Sequence, residues 1–432
     1  MKGFLKRVAW ASSRNATMAN LFENLARVYG AEAMRVASPA ACNYFPGGTV
    51  THEGALRFTN LAAEALIERV DLVKGERVLV ATPDAGEGLL IAAAVIKAGG
   101  VVVPALGAAD DGELACLVRG CDVRVALVRA QLLDGLPRLR EALNERARLV
   151  TLDGEARGAG DEPSLYGYMA GASGFFLPYT LKPSNVVLLC GVRDGGGTTR
   201  AVMVTNRGLM SPARLLAPLL PARAGGACLV CSPLTKPSLF AAAVWALAAG
   251  MSLRFPPSCE EELLRGMVEE EGPAAVAGHP RDLQGLADAC ARREGRRLPA
   301  LWLSAGLLGD EEGGPCGRPG GRIPAGRTYW LVETFAAGEN ATIAGLRVSL
   351  AGRRRMALPC VPLPPNRVRC VRGDGAPAGR GEEGELALRG PAVTPGYWND
   401  LETTFRSWRN GWLHTGMRVT RSPWGIPRCG DA

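Results

Sequence analysis

Three separate stretches of the sequence carry residue types suited to chemistry on phosphates. In the first, "VVLLCGVRDGGGTTRAVMVTNRGLM", an apolar run leads into glycines, threonines and an arginine. Backbone N–H groups of glycines can approach phosphate oxygens closely, and hydroxyls and a cation can complete the cradle. The stretch is not a Walker motif, because no G-K-[ST] segment precedes a helix, and the alternative to a phosphate site is a mobile Gly-rich hairpin. The candidate phosphate loop consists of Gly195, Gly196, Gly197, Thr198, Thr199 and Arg200.

The other two stretches offer a carboxylate and a cluster of polar residues. "TYWLVETF" places Glu333 among aromatic and aliphatic residues, where it either faces solvent, pairs with an arginine or ligates a Mg²⁺ shared with a nucleotide. "GWLHTGM" contains His414 and Thr415 and ends in Met417, which can neither ionise nor donate a hydrogen bond. The stretch therefore belongs either to a working site or to one that has lost its chemistry. For His414 the alternative is a packed loop residue.

Alternating helix and strand patterns must position these stretches. Apolar residues between 58 and 66 recur at helical spacing, and short β-branched runs follow at 75–82, 101–106 and 122–128. Strands that alternate with helices in this way predict βαβ units and parallel sheets covered on both faces. After about residue 345 the segments are short and punctuated by Gly and Pro, which is typical of a small antiparallel sheet or barrel.

The sequence therefore predicts an α/β fold with two parallel-sheet subdomains and a small β-rich one. The predicted boundaries are 1–180, 181–344 and 345–432, and we expect residues 1–17 to be disordered because they show no clear core pattern.

Composition narrows the class of protein further. With 47% apolar and 21% charged residues, the 432-residue chain is globular. The net charge of +8 comes mainly from Arg in an Ala- and Gly-rich sequence, which favours coding bias over a nucleic-acid-binding surface. Twelve scattered cysteines predict reduced thiols and a cytoplasmic location. The longest apolar run, Leu239 to Leu253, is too short to span a bilayer and predicts a buried helix.

Taken in order, these stretches resemble the adenylate-forming (AMP-binding) superfamily, which includes the acyl- and aryl-CoA synthetases. The resemblance runs from about residue 20 to 416 and is strongest over 381–416, where "GYWND" and "GWLHTG" look like acyl-CoA or fatty-acyl-AMP ligases. It implies the N-terminal domain of an acyl-CoA synthetase and a role such as fatty acid metabolism. In the implied reaction, Mg-ATP activates a carboxylic acid as an acyl adenylate, and CoA or another thiol takes the acyl group.

The resemblance also implies roles for individual positions. Arg200 and Glu333 would take part in catalysis, and Glu333 would hold Mg²⁺. Thr415 would lie near the ribose. The segment that would lie near adenine consists of Ser304, Ala305 and Gly306, together with Tyr329. The candidate phosphate loop defined above would bind the phosphates of ATP.

The sequence departs from the family pattern at several of these positions. Arg200 stands where the family has Lys, and Asp194 adds a negative charge beside the expected polyphosphate. Thr235-Lys236 replaces the aromatic-His pair that gates the acyl pocket, and Met417 replaces the Asp that holds both ribose hydroxyls. The family continues with a hinge and a small mobile domain, which we expect to be absent from this chain because "RSPWGIPRCGDA" does not resemble the hinge.

Three functional interpretations stay open. The first is a ligase that activates a fatty or aryl acid, with impaired activity or with dependence on a separate C-terminal domain. The second is a pseudoenzyme that binds an acyl group or a protein partner, and the third is an unrelated α/β binding protein. We expect weak or absent binding of ATP and Mg²⁺, and the expected partners are a small carboxylic acid and a separate domain or a second copy of the chain.

Overall fold

The computed structural model describes most of the chain. The described residues are 10–11, 16–29, 32–37, 39–42, 44–106, 110–144, 147–153, 164–193, 199–220, 225–279, 282–283, 286, 301–305, 329–335, 345–351, 356–357, 361–421 and 427–429. The strands are β1 (Glu32–Arg35), β2 (Thr49–Thr51), β3 (Arg77–Thr82), β4 (Val101–Leu106), β5 (Val123–Val128), β6 (Arg148–Thr151), β7 (Val186–Arg193), β8 (Thr199–Thr205), β9 (Ala227–Val230), β10 (Ser252–Arg254), β11 (Ala275–Gly278), β12 (Leu301–Ala305), β13 (Tyr329–Phe335), β14 (Gly345–Ala351), β15 (Met356–Ala357), β16 (Val361–Pro362), β17 (Arg367–Val371), β18 (Glu383–Arg389), β19 (Trp408–Arg409), β20 (Trp412–Arg421) and β21 (Pro427–Cys429). The helices are α1 (Leu21–Val28), α2 (Pro39–Cys42), α3 (His52–Glu68), α4 (Ala85–Lys97), α5 (Asp111–Gly120), α6 (Ala130–Gly135), α7 (Pro137–Asn144), α8 (Leu165–Met169), α9 (Asn206–Leu219), α10 (Pro237–Ala248), α11 (Glu261–Glu271) and α12 (Leu401–Ser407).

The first sheet is mostly parallel and is built around the earliest βαβ units. Within the described chain its strands lie in the order β6-β5-β3-β4-β7-β8. All neighbouring strands are parallel except β8, which runs antiparallel to β7. Every residue of α4 is buried, and all of them except Glu87 and Lys97 are apolar or glycine, as expected for a helix covered on all sides. The side chain of Asp84 caps this helix by accepting hydrogen bonds from the N–H groups of Gly86 and Glu87.

The second sheet is larger and collects strands from distant parts of the chain. Among the described residues its order is β15-β14-β13-β12-β11-β9-β10-β1-β2, with β16 paired to β14. The strands from β1 to β13 along this order are parallel, whereas β2 and β14 run antiparallel to their neighbours. All of α10 is buried, which confirms the buried helix predicted within 239–253.

The third sheet is small and antiparallel, in the order β17-β18-β20-β19 with β21 beside β20. Its core contains Cys370, Leu386, Leu388 and Leu413. The predicted fold class, two parallel α/β layers and a small β-rich part, is therefore confirmed.

The predicted domain boundaries do not separate the sheets. Strands β7 and β8 follow residue 180 but join the first sheet, where Leu188 pairs with Val102 of β4. Strands β1 and β2 precede residue 180 but join the second sheet, because Met34 pairs with Leu253 of β10. The division at 180 and 344 remains a prediction. Trp10 lies within the segment expected to be disordered, yet its side chain is buried in the core.

In the part of the chain that the structure describes, no helix has both the length and the apolar character needed to cross a bilayer.

Candidate active site

Three neighbouring parallel strands place candidate site residues in one row. Gly278 of β11 is in register with Ser304 of β12, and Ser304 is in register with Glu333 of β13. Ala305 pairs with the next residue, Thr334. The row lies towards the carboxyl ends of these strands, which is the edge where open α/β sheets bind ligands.

The chain that leaves β11 is fixed against the chain that leaves β9. The hydroxyl of Ser232 donates a hydrogen bond to the carboxylate of Asp282 and accepts one from the N–H of His279 at 2.8 Å. Gly278 lies so close to β9 that a Cβ atom there would come within 2.8 Å of the Cys231 Sγ. These contacts hold the carboxyl edge of the second sheet in one arrangement.

The carboxyl edges of the two large sheets meet beside this row. The N–H of Leu234, four residues beyond β9, donates a hydrogen bond of 3.1 Å to the carbonyl of Leu106 at the end of β4. Lys236 follows in the same segment, and its charge acts on the Cys190 thiol of β7. Burial has the larger effect and raises the pKa of Cys190. Thr235 and Lys236, which stand where the resemblance calls for a gating pair, therefore lie at the junction of the sheets.

The candidate phosphate loop connects β7 and β8 next to this junction. Arg193 pairs with Thr199 and Val192 with Arg200, so the loop leaves the sheet at the carboxyl end of β7. Thr199 and Arg200 are half-buried. The other members of the predicted loop, Gly195, Gly196, Gly197 and Thr198, lie outside the described residues. Asp194 and Gly306 lie outside them too.

Residues 396–398, which precede α12, are hydrogen-bonded along β8. The N–H of Trp398 donates to the Ala201 carbonyl at 2.7 Å, and the N–H of Met203 donates to the Gly396 carbonyl at 3.0 Å. Gly396 has a φ of 145°, and a Cβ atom at this position would meet the side chain of Thr404 at 2.5 Å. Only glycine fits this close approach, which connects the third sheet to the first.

The same attachment brings Arg200 to Asp400. The Arg200 Nε donates to the Asp400 Oδ2 at 2.8 Å. The other oxygen of Asp400 accepts a 2.9 Å hydrogen bond from the N–H of Thr403 and so caps α12. This backbone hydrogen bond, together with the neighbouring guanidinium, holds the pKa of Asp400 below its ordinary value.

Thr415 belongs to a network around Glu385. The Thr415 hydroxyl donates to the Leu386 carbonyl at 2.8 Å, and the N–H of Gly416 donates to the Glu385 carboxylate at 2.9 Å. The His414 Nδ1 lies 2.8 Å from the second oxygen of Glu385. Partial burial acts to raise the pKa of Glu385, but the hydrogen bonds from His414 and Gly416 outweigh it and lower that pKa. His414 is thus a partly buried residue of β20 that pairs with Glu385 of β18.

Met417 occupies the position at which the resemblance calls for a ribose-binding acid. Its side chain is half-buried against the core of the third sheet, and its N–H lies 3.2 Å from the Thr415 hydroxyl oxygen. A thioether offers only a weak acceptor where a carboxylate would accept two strong hydrogen bonds.

The structure brings together some of the predicted residues and not others. Register places Ser304, Ala305 and Glu333 at one edge, whereas Tyr329 begins β13, about 13 Å from Glu333 along the strand. Sequence reasoning missed Asp400. The N-cap position ahead of a Leu-Glu-Thr-Thr helix start was visible in the sequence, but no local pattern pairs that residue with an arginine 200 positions away.

This fold, with its candidate groups at the carboxyl edges of two adjoining sheets, defines the class of α/β enzymes that bind ligands at such edges. A family model described as "AMP-binding enzyme" matches residues 29–398. The chain therefore belongs to the family of AMP-binding, adenylate-forming enzymes, as predicted.

Curated relatives match shorter segments. One segment of 120 residues is 38% identical to 2-succinylbenzoate–CoA ligase from Geobacillus kaustophilus and covers 26% of this chain and 22% of that protein. Another segment, of 69 residues, is 44% identical to p-hydroxybenzoic acid–AMP ligase FadD22 from Mycobacterium tuberculosis and covers 16% of this chain and 10% of that one. Each match thus spans less than a quarter of the relative's length.

Solved structures match over most of the chain. The anthranilate CoA ligase AuaEII in complex with anthranoyl-AMP has a TM-score of 0.78 at 16% identity, covering 96% of this chain and 77% of that one. ATP-bound MatB from Rhodopseudomonas palustris has a TM-score of 0.73 at 20% identity, covering 95% and 78%. At these identities the likeness establishes the fold.

Proposed function

We propose that this protein uses Mg-ATP to activate a carboxylic acid as an acyl adenylate for transfer to a thiol such as CoA. The observation that carries the proposal is the register row of Ser304 and Glu333 at the carboxyl edge of the second sheet. The hydrogen bond between Leu234 and Leu106 joins that edge to the first sheet, so both sheets contribute to one candidate site.

Individual residues would have separate roles in metal binding and in charge neutralisation. Glu333 would provide a hard oxygen ligand for Mg²⁺, and Arg200 would neutralise phosphate charge that develops as pyrophosphate leaves. The metal, when bound, would supply Lewis-acid stabilisation of the phosphate charge. Because the two curated relatives reported above are named for benzoate-type acids, we favour an aryl acid over a fatty acid.

The residues that would surround a bound nucleotide suit ATP only in part. The phosphate side offers Arg200 at the hairpin of β7 and β8, although its guanidinium is already engaged by Asp400. The ribose side offers Thr415, whose hydroxyl donates to a backbone carbonyl, and Met417 in place of an acid. We therefore expect nucleotide affinity to be low, and a dissociation constant in the low micromolar range would contradict this.

A second candidate is an acyl-binding pseudoenzyme. The Arg200–Asp400 ion pair and Met417 favour it, because both changes weaken groups that would hold ATP without disturbing the edge of the second sheet. A separate C-terminal domain, a second copy of the chain, and a cytoplasmic location remain predictions under either candidate.

The two candidates differ in pyrophosphate release. We expect the purified protein to release pyrophosphate from Mg-ATP only when an acid from a panel of benzoates and fatty acids is present. Glu333→Gln should lower this rate about 10²-fold, since one group that stabilises the reacting phosphates is lost. Glu402→Gln is the matched control because that side chain is 75% exposed and paired to Arg406 on α12.

The outcomes are distinct. Release that does not depend on an acid, or that is the same in wild type and Glu333→Gln, would contradict the assignment of Glu333. Absence of release, combined with a thermal shift caused by an acid alone, would support the pseudoenzyme.

A further inference from the structure

The Arg200–Asp400 ion pair connects β8, whose first two residues end the candidate phosphate loop, to the N-cap of α12. Arg200 is the second residue of β8, opposite Val192 at the loop end of β7. The Arg200 Nε lies 2.8 Å from the Asp400 Oδ2, and the two side chains are 25% and 28% exposed. The pair is therefore partly shielded from water, where a charge interacts more strongly with its neighbours than at a fully exposed site.

Asp400 is held in place by several independent contacts. Its Oδ1 accepts from the N–H of Thr403 at 2.9 Å, and its backbone carbonyl accepts from the Thr404 hydroxyl at 2.7 Å. The preceding segment is anchored by the 2.7 Å hydrogen bond from Trp398 to Ala201. Because these contacts fix the backbone and one carboxylate oxygen, the second oxygen cannot move away from Arg200 without uncapping α12.

The charge of Asp400 opposes the role assigned to Arg200. Hydrogen bonds from Thr403 and the nearby guanidinium lower the pKa of Asp400, so the carboxylate is ionised at neutral pH. The Arg200 Nε already donates to this carboxylate, so a phosphate that approaches must compete with Asp400 for the guanidinium. The attraction that the cation alone would exert is reduced accordingly.

We propose that Asp400 is an affinity-determining residue, which acts through Arg200 to weaken the binding of polyphosphate to this protein. The proposal rests on the proposed function, in which Arg200 faces the phosphates of ATP. It assigns to Asp400 a role beyond capping α12, and it identifies the side chain whose neutralisation should strengthen phosphate binding.

Asp400→Asn tests the proposal with little change in shape. Asn caps helices as well as Asp does, so the hydrogen bond from Thr403 can persist while the charge is lost. Glu402→Gln is the matched control, because it removes one negative charge two residues away from an exposed pair with Arg406. Unfolding temperatures without ligand verify that each variant is folded.

Binding of Mg-pyrophosphate and Mg-ATP would be measured by isothermal titration calorimetry. We expect Asp400→Asn to bind pyrophosphate about three- to tenfold more tightly than wild type, because the guanidinium loses a charged partner that competes with phosphate at a partly exposed site. The gain should shrink as salt concentration rises. It should also vanish when Arg200→Ala is added, because the effect passes through the guanidinium.

Several results would overturn the proposal. They are equal or weaker binding by Asp400→Asn, an equal gain in Glu402→Gln, persistence of the gain in the double variant, and absence of pyrophosphate binding to every variant. A gain in Asp400→Asn without acid-dependent pyrophosphate release would leave this inference standing and remove the proposed function. Acid-dependent release with no gain would do the reverse.

Discussion

Restoring an acid at position 417 should strengthen nucleotide binding. Met417 follows Thr415 and Gly416, whose hydroxyl and N–H are fixed by Leu386 and Glu385. The backbone that precedes position 417 is therefore already held in place by hydrogen bonds. We expect Met417→Asp to place a carboxylate where the resemblance calls for a ligand of both ribose hydroxyls.

The magnitude follows from the surroundings of this position. A hydrogen bond to a charged group contributes about 1.5–3 kcal/mol, so two would contribute about 3–6 kcal/mol. Glu385 accepts a hydrogen bond from the neighbouring Gly416, and repulsion between the two carboxylates would cost about 1 kcal/mol. The net gain of about 2–5 kcal/mol corresponds to roughly 30- to 5,000-fold in affinity. Lost packing of the half-buried Met417 side chain would lower stability by about 1 kcal/mol.

The assay is calorimetric titration with Mg-ATP and with 2′-deoxy-ATP. Met417→Leu is the control, since it keeps an apolar side chain of similar volume and adds no charge. The gain in Met417→Asp should be large for ATP and much smaller for the deoxynucleotide, which lacks one of the two hydroxyls. Equal affinity of the Asp and Leu variants, or an equal gain with both nucleotides, would refute the reasoning.

Two further predictions concern stability. His52 is buried, neither ring nitrogen has a hydrogen-bond partner in the described part of the chain, and burial lowers its pKa to about 4. The unfolded state binds the proton first, so stability should be full above about pH 6.5 and fall by about 3 kcal/mol as the pH drops towards 4. Urea unfolding at several pH values should show this slope in wild type and a flatter one in His52→Leu. Gly278→Ala should lower the free energy of unfolding by about 1–3 kcal/mol, because the added Cβ meets Cys231 and Ser232 at 2.8 and 3.1 Å. Gly266→Ala in α11 is its control: a Cβ there meets nothing within 4 Å, so stability should rise by up to about 1 kcal/mol, and a loss in both variants would contradict the packing argument.

Much of the local structure could be predicted because short patterns determine it. The β-branched run at 75–82 forms β3, and the Gly- and Ala-rich run that follows forms α4. The segment "ETTF" lies within α12, which begins after a side-chain cap. The alternation of strands and helices also predicted parallel sheets, since parallel strands need long crossover connections.

Pairings between distant segments could not be predicted from such patterns. Lys97 ends the apolar helix α4, and a charged side chain would be expected at the surface, yet it is 2% exposed. Its Nζ lies 2.7 Å from Glu23 of α1 and Asn60 of α3 and 3.1 Å from Thr59 of α3, so two helices together satisfy the charge. The placement of β1 beside β10 and the pairing of Arg200 with Asp400 depend in the same way on residues far apart in sequence.

The expected effects of Met417 and Asp400 on nucleotide binding can be separated, because the two residues would act on different parts of the ligand. Met417 lies on β20 of the third sheet, and Asp400 caps α12 and contacts the first sheet through Arg200. Neither side chain contributes to the apolar cores of the two large sheets, so the fold can persist while the site changes. AMP carries the ribose without the polyphosphate, and pyrophosphate carries the reverse. Met417→Asp should therefore strengthen the binding of AMP but not of pyrophosphate. Asp400→Asn should strengthen the binding of pyrophosphate but not of AMP, because each charge change acts on only one end of the nucleotide.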